Sequence, residues 1–557
     1  MDGSTRLDAP PPNRAEPGLN RGFALGLLAL VLALAPALTA IAWVPEFVTQ
    51  DGPAHVYSAR ILNASLQPDS PFAGTFAVSW EPLPNWSGHL ATMALAAILP
   101  PGTAGRVLAA ITLVLLASGV VWLRWAVAGP KGLASASILA VLLALNVTWL
   151  LGFTSFLLGA ALMPATLAAW WGGRDRMGPG RAAGLAALLV LGYFCHPISL
   201  GLTVVGLGIL TVLTPGPDRT RRLAWTSASL IPLVPLGLAY RAMTRSGGGL
   251  EPTWDQLANP WSLRSWAAQL GWVDPISLAA KTYRPFGGSP WAGNGLISPA
   301  LWTALAVALL AASTWRRRAT DRRGWLTLAA LLLLGGLLGP DTLGVKHGHY
   351  LPQRVALLGL VALVPWLDFG ADRWPGRLAS ASLAFALAVQ SAFVWDYALD
   401  CRERVGALLK AGPAIGPDRR VGTLLVGIKG RFRSNPILHA DCLLGARSDL
   451  ILWTNYETAH YYFPVKVRSG LDHPPAPAFE KVALLDGPGE SADRARLWEE
   501  LLRDHGPAID TILEWWGAGA DPGLDAINVR GYNLTFREGP VRVWSRRAPA
   551  VVGRGAE

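Results

Sequence analysis

From Gly132 to Gly173, 42 consecutive residues carry no charged side chain. A helix packed on the surface of a soluble protein needs a charged or polar face, so a run of this length excludes an ordinary soluble fold. As one helix it would be about 63 Å long, roughly twice the 30 Å hydrocarbon core of a bilayer. The run therefore reads as two spans that turn near Gly152, where the absence of a Cβ permits a tight reversal. Phe23–Val44 is uncharged for 22 residues, about 33 Å of helix, and reads as a retained span because it is longer than a signal-peptide core. Val107–Leu123, Leu223–Tyr240, Ser298–Trp315, Trp325–Pro340, Val355–Leu367 and Leu378–Trp395 read as further spans. Ala182–Pro217 is uncharged for 36 residues, giving either two short helices broken at His196-Pro197 or one long helix with a re-entrant piece. The expected fold is a polytopic α-helical membrane protein with 11 to 13 spans, depending on Ala182–Pro217 and on whether Asn85–Leu99 crosses.

Only 15% of the residues are charged, against about 25% in soluble domains. The net charge is +11, but the arginines sit in short loops between spans, where they retain loops in the cytoplasm. This distribution argues against nucleic acid as a partner. Arg6, Arg14 and Arg21 place a disordered segment, residues 1–21, inside. The loop 45–84, with Glu46, Asp51, Asp69 and Glu81, is then outside. Arg316–Arg318 with Arg322 and Arg323 are the strongest inner marker, and they put the Trp-rich loop 243–297 and the C-terminal tail outside. Counting back keeps Arg124–Lys131 and Arg174–Arg181 inside only if Asn85–Leu99 does not cross fully or Ala182–Pro217 crosses once.

Residues 22–399 form the membrane domain on this reading. From residue 400 Asp, Glu and Arg become common and no run can span. Val421–Ile428, Asp449–Trp453, Ala508–Trp516, Tyr532–Arg537 and Val541–Ser545 read as strands, and Ala492–His505 as an amphipathic helix. Residues 400–557 are thus expected to form an extracytoplasmic α/β domain. The three cysteines, Cys195, Cys401 and Cys442, have no metal-ligand spacing. Cys401 and Cys442 could pair outside the cell.

The most informative polar stretch is Asp51–Arg60, just after the first span. Pro53, His55 and Arg60 crowd Asp51. Val56, Tyr57, Ala59, Ile61 and Leu62 suggest a short amphipathic helix on the membrane surface. Such a helix would fix Asp51 as a general base or metal ligand. The competing reading is a solvated loop residue.

A long first span, an outside loop with an acidic residue and a juxtamembrane helix resemble the GT-C superfamily of membrane glycosyltransferases. That superfamily includes protein O-mannosyltransferases and aminoarabinose transferases. Glu81-Pro82-Leu83-Pro84-Asn85-Trp86 resembles the Pro-Pro-Leu region that opens the second apolar segment, and Leu99–Arg106 resembles the small loop with an arginine that follows it. Coverage is residues 22–400. One departure is that Gly52, not a second carboxylate, follows Asp51. No metal ligand is therefore assigned, a divalent cation remains possible, and Glu81 is the candidate second acid.

The resemblance implies a polyprenyl-phosphate-linked sugar donor in the membrane and a glycan, lipid or protein acceptor. Transfer would occur with inversion on the outer face of a bacterial inner membrane, with Asp51 removing the acceptor proton. The departing phosphate needs positive charge. Lys346, His347, His349 and Arg354 are candidates, Arg354 first because a guanidinium forks onto phosphate. A snorkelling interface residue is the alternative for Arg354, and an ordinary polar loop for His347 and His349. His196 interrupts an uncharged run, which marks either a functional group in the membrane or a helix end at the Pro break. With His55, Arg60 and Glu81 these complete the candidate substrate-binding residues. Trp254, Trp261, Trp266, Trp272 and Trp291 suit sugar stacking or an interfacial belt. His439, Asp441, Asn455, Tyr456, Glu457 and His460 form a polar, aromatic group in the tail to which no chemistry is assigned. The alternative function is a transporter or flippase of a lipid-linked saccharide, which should show related halves and paired broken helices. The chain shows neither in its sequence. A third possibility is a membrane scaffold without chemistry.

Overall fold

The computed structural model describes residues 17–216, 218–246, 251–254, 278, 298–316, 322–344, 348–370, 374–485, 489–517 and 531–547. Helix α1 (Pro17–Trp43) is followed by α2 (Gly52–Ser65), a short strand β1 (Phe76–Val78), α3 (Trp86–Ala96) and α4 (Pro101–Ala128). Helices α5 (Leu133–Ala144) and α6 (Val147–Leu151) lead through Gly152 into α7 (Thr154–Gly173). Then come α8 (Pro179–Cys195), α9 (Pro197–Leu213), α10 (Arg219–Ala228), α11 (Leu233–Ser246), α12 (Pro299–Arg316), α13 (Arg323–Leu338), α14 (Leu351–Leu363) and α15 (Trp374–Leu409). Proline opens α4, α8 and α9 and sits second in α14, where its missing N–H costs no intrahelical bond.

Among the described residues, five helices are long and apolar enough to cross a membrane, or six if the pair Arg219–Ala228 and Leu233–Arg245, bent by 47°, counts as one span. Four shorter apolar helices, Pro179–Cys195, Pro197–Leu213, Arg323–Leu338 and Leu351–Leu363, accompany them. Against the expected 11 to 13 spans, the apolar helices among the described residues divide into these spanning and shorter classes. Ala182–Pro217 resolves into two short helices separated at His196, and only Trp86–Ala96 of the 85–99 segment is helical. The run 132–173 does turn at Gly152, which adopts a left-handed φ of +88°. Helix α4 packs against α5 and α7, α1 against α5, α13 against α14, and α12 against α15.

The C-terminal part holds α16 (Gly412–Ile415), β2 (Arg420–Val426), α17 (Cys442–Ser448), β3 (Ile451–Leu452), β4 (Val465–Val467), α18 (Ala476–Leu484), α19 (Ser491–His505), β5 (Thr511–Trp516), β6 (Tyr532–Glu538) and β7 (Val541–Arg546). Five strands form one sheet in the order β3-β2-β5-β7-β6, parallel from β3 to β5 and antiparallel beyond. Strand side chains alternate between faces, and the two faces have different tasks. Leu424, Val426 and Ile512 pack beneath α18 and α19 with Trp453, Phe479 and Trp498. Val421, Leu425, Leu513 and Trp515 join the core that continues into the membrane helices.

Helix α15 spans 36 residues, about 54 Å, too long for the bilayer core alone. Its last turns bury Cys401, Val405 and Leu408 in the shared core, so the expected boundary at residue 400 falls within a continuous helix. Cys195, Cys401 and Cys442 are all buried free thiols, and the pairing of Cys401 with Cys442 does not form.

Helix α2 also departs from expectation. It does not merely rest on a lipid surface: Pro53, Ala54, Val56, Tyr57, Ser58, Ala59, Ile61, Leu62 and Ala64 are all buried. It is packed by α3 and α4 on one side and by α17 of the C-terminal part on another. The Tyr57 hydroxyl donates to the Leu450 carbonyl at 2.5 Å and accepts from the Leu452 amide at 3.1 Å. Strand β1 pairs antiparallel with β4, so the first loop also joins the C-terminal part through backbone bonds.

Candidate active site

Asp51 occupies the N-cap of α2, with Pro53 just inside the helix. An N-cap aspartate usually spends its carboxylate on the free N–H groups of the first turn. Here the side chain makes no capping bond. The backbone is held instead. The Gln50 and Asp51 amides donate to the Leu150 and Leu151 carbonyls, both at 3.0 Å. A Cβ at Gly152 would lie 2.7 Å from Thr49 Oγ1 and 3.0 Å from the amide nitrogens of Asp51 and Gly52. The turn between α6 and α7 is thus pressed against Asp51, and glycine is required there for both φ and space.

Asp51 is 9% exposed. Its carboxylate lies 3.7 Å from His439 Nε2, and the His439 ring packs on Tyr456 at 4.8 Å between centroids. Burial raises the Asp51 pKa to about 7; His55 draws it down, while Glu480 and Glu457 push it up. Burial, followed by the field of His55, lowers His439 to about 3. His439 is therefore neutral, and its contact with Asp51 is not an ion pair. A carboxyl titrating near 7 in a cleft is suited to taking a proton at neutral pH.

Arg354 and His196 lie side by side. Arg354 Nη1, in α14, lies 2.8 Å from His196 Nε2, and the Ile198 amide at the start of α9 lies 3.2 Å from His196 Nδ1; a neutral imidazole accepts at only one of these two nitrogens. The guanidinium lies 4.4 Å from the Phe153 ring centroid and 5.1 Å from that of Phe156. Its Nε is buried without a hydrogen-bond partner, an arrangement that leaves a donor available to an anion. Tyr350, at the left-handed N-cap of α14, feels the charges of both Asp51 and Arg354. Asp51 and Arg354 are thus within range of each other's charge, and both act on Tyr350.

Three other candidates have different positions. Arg60 pairs with Asp449 through Nε–Oδ1 at 2.8 Å and Nη2–Oδ2 at 2.9 Å, and so links α2 to the C-terminal part. Glu81 is exposed, with its carbonyl accepting from the Trp86 indole at 2.8 Å. The carboxylates whose fields act on Asp51 are Glu480 and Glu457, from the C-terminal part. His349 is exposed just ahead of α14. Lys346 and His347 lie outside the described residues, as do Trp261, Trp266, Trp272 and Trp291.

His55 has partners on both ring nitrogens. Its Nε2 lies 3.1 Å from the Gly152 carbonyl, and its Nδ1 contacts Glu457 Oε1. The other Glu457 oxygen meets His89 Nε2 at 2.9 Å. Burial would raise Glu457, but His89 and His55 outweigh it and hold the carboxyl well below its usual range. A cation bound by a first-loop acid pair does not fit, because Asp51 has no second first-loop carboxylate beside it. Among the described residues, His55, His89 and Glu457 form a grouping whose donors suit one.

No family model matches the chain, and no curated protein does. Solved structures do. The arabinofuranosyltransferase AftD from mycobacteria aligns over 94% of this chain with a TM-score of 0.50 and 15% identity. The chain has the GT-C fold. It spans only 40% of the length of AftD. ArnT from Cupriavidus metallidurans, solved with undecaprenyl phosphate, aligns over 94% of this chain and 98% of its own at 13% identity and a TM-score of 0.49. The oligosaccharyltransferase AglB from Archaeoglobus fulgidus aligns over 88% of this chain and 69% of its own at 12% identity and a TM-score of 0.44.

The sequence alone did not single out His89 and gave Glu457, His439 and Glu480 no role. His89 is an ionisable residue inside the apolar stretch 86–96, which is itself a signal. The tail residues meet Asp51 only through tertiary packing across almost 400 positions, and no local pattern announces that.

Proposed function

We propose that the protein is an inverting membrane glycosyltransferase that moves a sugar from a polyprenyl-phosphate donor to an acceptor hydroxyl, with Asp51 as general base. The observation that carries this reading is that buried Asp51 and buried Arg354 lie within range of each other's charge and both act on Tyr350. The GT-C fold supports the reaction class. The acceptor hydroxyl enters beside Asp51, and its proton passes to the carboxylate as the oxygen attacks the anomeric carbon. The bond from that carbon to the lipid phosphate breaks on the opposite face, which inverts the anomeric configuration. Negative charge grows on the leaving phosphate, and Arg354, steadied by His196 and the Phe153 and Phe156 rings, is placed to neutralise it. The aromatic faces of Tyr350 and Tyr456 suit a sugar ring between acid and guanidinium.

The arginine distribution supports a cytoplasmic N-terminus, with the cleft and C-terminal part on the outer face of an inner membrane. Purified protein in detergent, given synthetic polyprenyl-phosphate pentoses and hexoses, should release polyprenyl phosphate only when an acceptor glycan, lipid or peptide is present. Failure across a panel of such donors, with the protein shown to be folded, would count against the reading.

A further inference from the structure

The group formed by His55, His89 and Glu457 remains outside the sugar-transfer chemistry above. One nitrogen of each histidine and a carboxylate oxygen of Glu457 lie within 4.8 Å of one another. The three residues come from three elements. His55 is in α2, His89 in α3, and Glu457 in the 3₁₀ turn Tyr456–Ala459 of the C-terminal part. Glu457 and His89 are buried, with side chains 0% and 2% exposed, and the His55 side chain is 13% exposed. Phe463 flanks both imidazoles, at 6.2 Å from His55 and 5.5 Å from His89 between centroids.

The far sides of the two rings are decisive. His55 Nε2 faces the Gly152 carbonyl at 3.1 Å, and His89 Nδ1 faces the Asn85 carbonyl at 3.5 Å. A carbonyl and a carboxylate both only accept, and a neutral imidazole carries one proton, so it satisfies only one of its two faces. With the protons on the far nitrogens, the near nitrogens turn lone pairs toward Glu457; with the protons on the near nitrogens, lone pairs face the carbonyls. Either way each buried ring keeps one lone pair against another unless something positive is added. Two extra protons would serve, and so would one cation bound by two imidazoles and a carboxylate.

We infer that His55 Nδ1, His89 Nε2 and Glu457 form a site for one divalent cation of the zinc class. Two imidazoles and a carboxylate are a ligand set that zinc accepts, with a fourth position left for water. The carbonyls behind the rings are the outer partners that fix ligating histidines in the correct tautomer. Nitrogen donors select zinc or cobalt over calcium or magnesium. The cation would pin the C-terminal part to α2 and α3, one helical turn from Asp51, and so hold the cleft closed around its acid. This inference does not depend on the sugar-transfer reading.

The full chain, purified in detergent and dialysed against chelator, is loaded with zinc or cobalt and then desalted. Metal is counted by plasma mass spectrometry, cobalt ligation is read by visible absorption, and melting is followed by intrinsic fluorescence. The wild type should retain one equivalent, show the cobalt bands of a low-coordinate nitrogen and oxygen site, and melt higher when loaded. His89→Asn and Glu457→Gln should each weaken affinity by more than ~100-fold, since even the loss of an outer partner costs 10–100-fold. His89→Cys keeps a ligand and should recover zinc, which separates ligation from misfolding. Asp51→Asn should bind metal like the wild type. Absence of stoichiometric metal in the wild type, or full retention by both His89→Asn and Glu457→Gln, overturns the site and leaves the two-proton arrangement.

Discussion

The Asp51 amide and the Cα of Gly152 approach so closely that a Cβ on Gly152 would stand 3.0 Å from the Asp51 nitrogen. Gly152 also holds φ at +88°. Alanine there combines backbone strain of about 1–3 kcal/mol with pressure on the segment that carries the acid. Gly152→Ala should lower sugar transfer by roughly 10–100-fold, because a displaced base loses its alignment. Its melting temperature should fall by only a few degrees. Transfer rates and melting curves of one preparation check this, and unchanged transfer would show that the turn does not position Asp51.

The pH dependence follows from the buried acid. The Asp51 pKa is raised from 3.8 to about 7, so the basic form appears only as pH passes upward through about 7. In chelator-dialysed protein, transfer should rise through that pH. The stability sign is the reverse. The folded pKa lies above the unfolded one, so stability is fully present below the unfolded value and is lost as pH rises through the folded value. Asp51→Asn removes that loss, and should melt higher than wild type at pH 8 with little difference at pH 4. Its stabilisation at pH 8 should be on the order of a few kcal/mol. Melting curves at the two pH values decide it.

Arg354 tests the phosphate side. Lysine keeps the charge but loses both the Nη1 contact with His196 and the planar contact with Phe153. Arg354→Ala should lower transfer by about 10²–10³-fold, the usual loss for one donor to a developing anion. Arg354→Lys should fall between alanine and wild type. Inhibition by free polyprenyl phosphate should weaken in parallel. Inhibition constants for the three proteins measure this, and an unchanged constant in Arg354→Ala would remove Arg354 from the phosphate site.

Arg60 and Asp449 form a two-bond pair with both side chains about one-third exposed. Solvent screens such pairs, so their double-mutant coupling should be only about 1 kcal/mol. Arg60→Ala and Asp449→Ala should each lower the melting point slightly. The effect on transfer should be smaller than that of Gly152→Ala. A large fall in transfer for Arg60→Ala without loss of stability would place Arg60 at the substrate site.

Much of the architecture was legible because it is written in local periodicity. The uncharged runs located α1, the turn at Gly152, the break at His196 and the helix of Arg354. Strand alternation located β2, β5, β6 and β7, whose inner faces do divide between two cores. Asp51 was legible because a carboxylate right after a span is conspicuous. Its surroundings were not, since His439, Glu457 and Glu480 reach it through packing of the C-terminal part on α2. The partner of Arg60 was hidden for the same reason: sequence shows a cation near an acid but not its pairing with Asp449.

The most direct test is transfer by Asp51→Asn, measured with a polyprenyl-phosphate sugar that the wild type uses and with the anomeric configuration of the product read by NMR. Asparagine preserves the shape of the site and cannot take the proton. Transfer should fall by about 10²–10⁴-fold, with melting at least as high as wild type and an inverted product from the wild-type enzyme. Undiminished transfer by folded Asp51→Asn, or retained configuration in the wild-type product, would contradict Asp51 as the base of an inverting displacement.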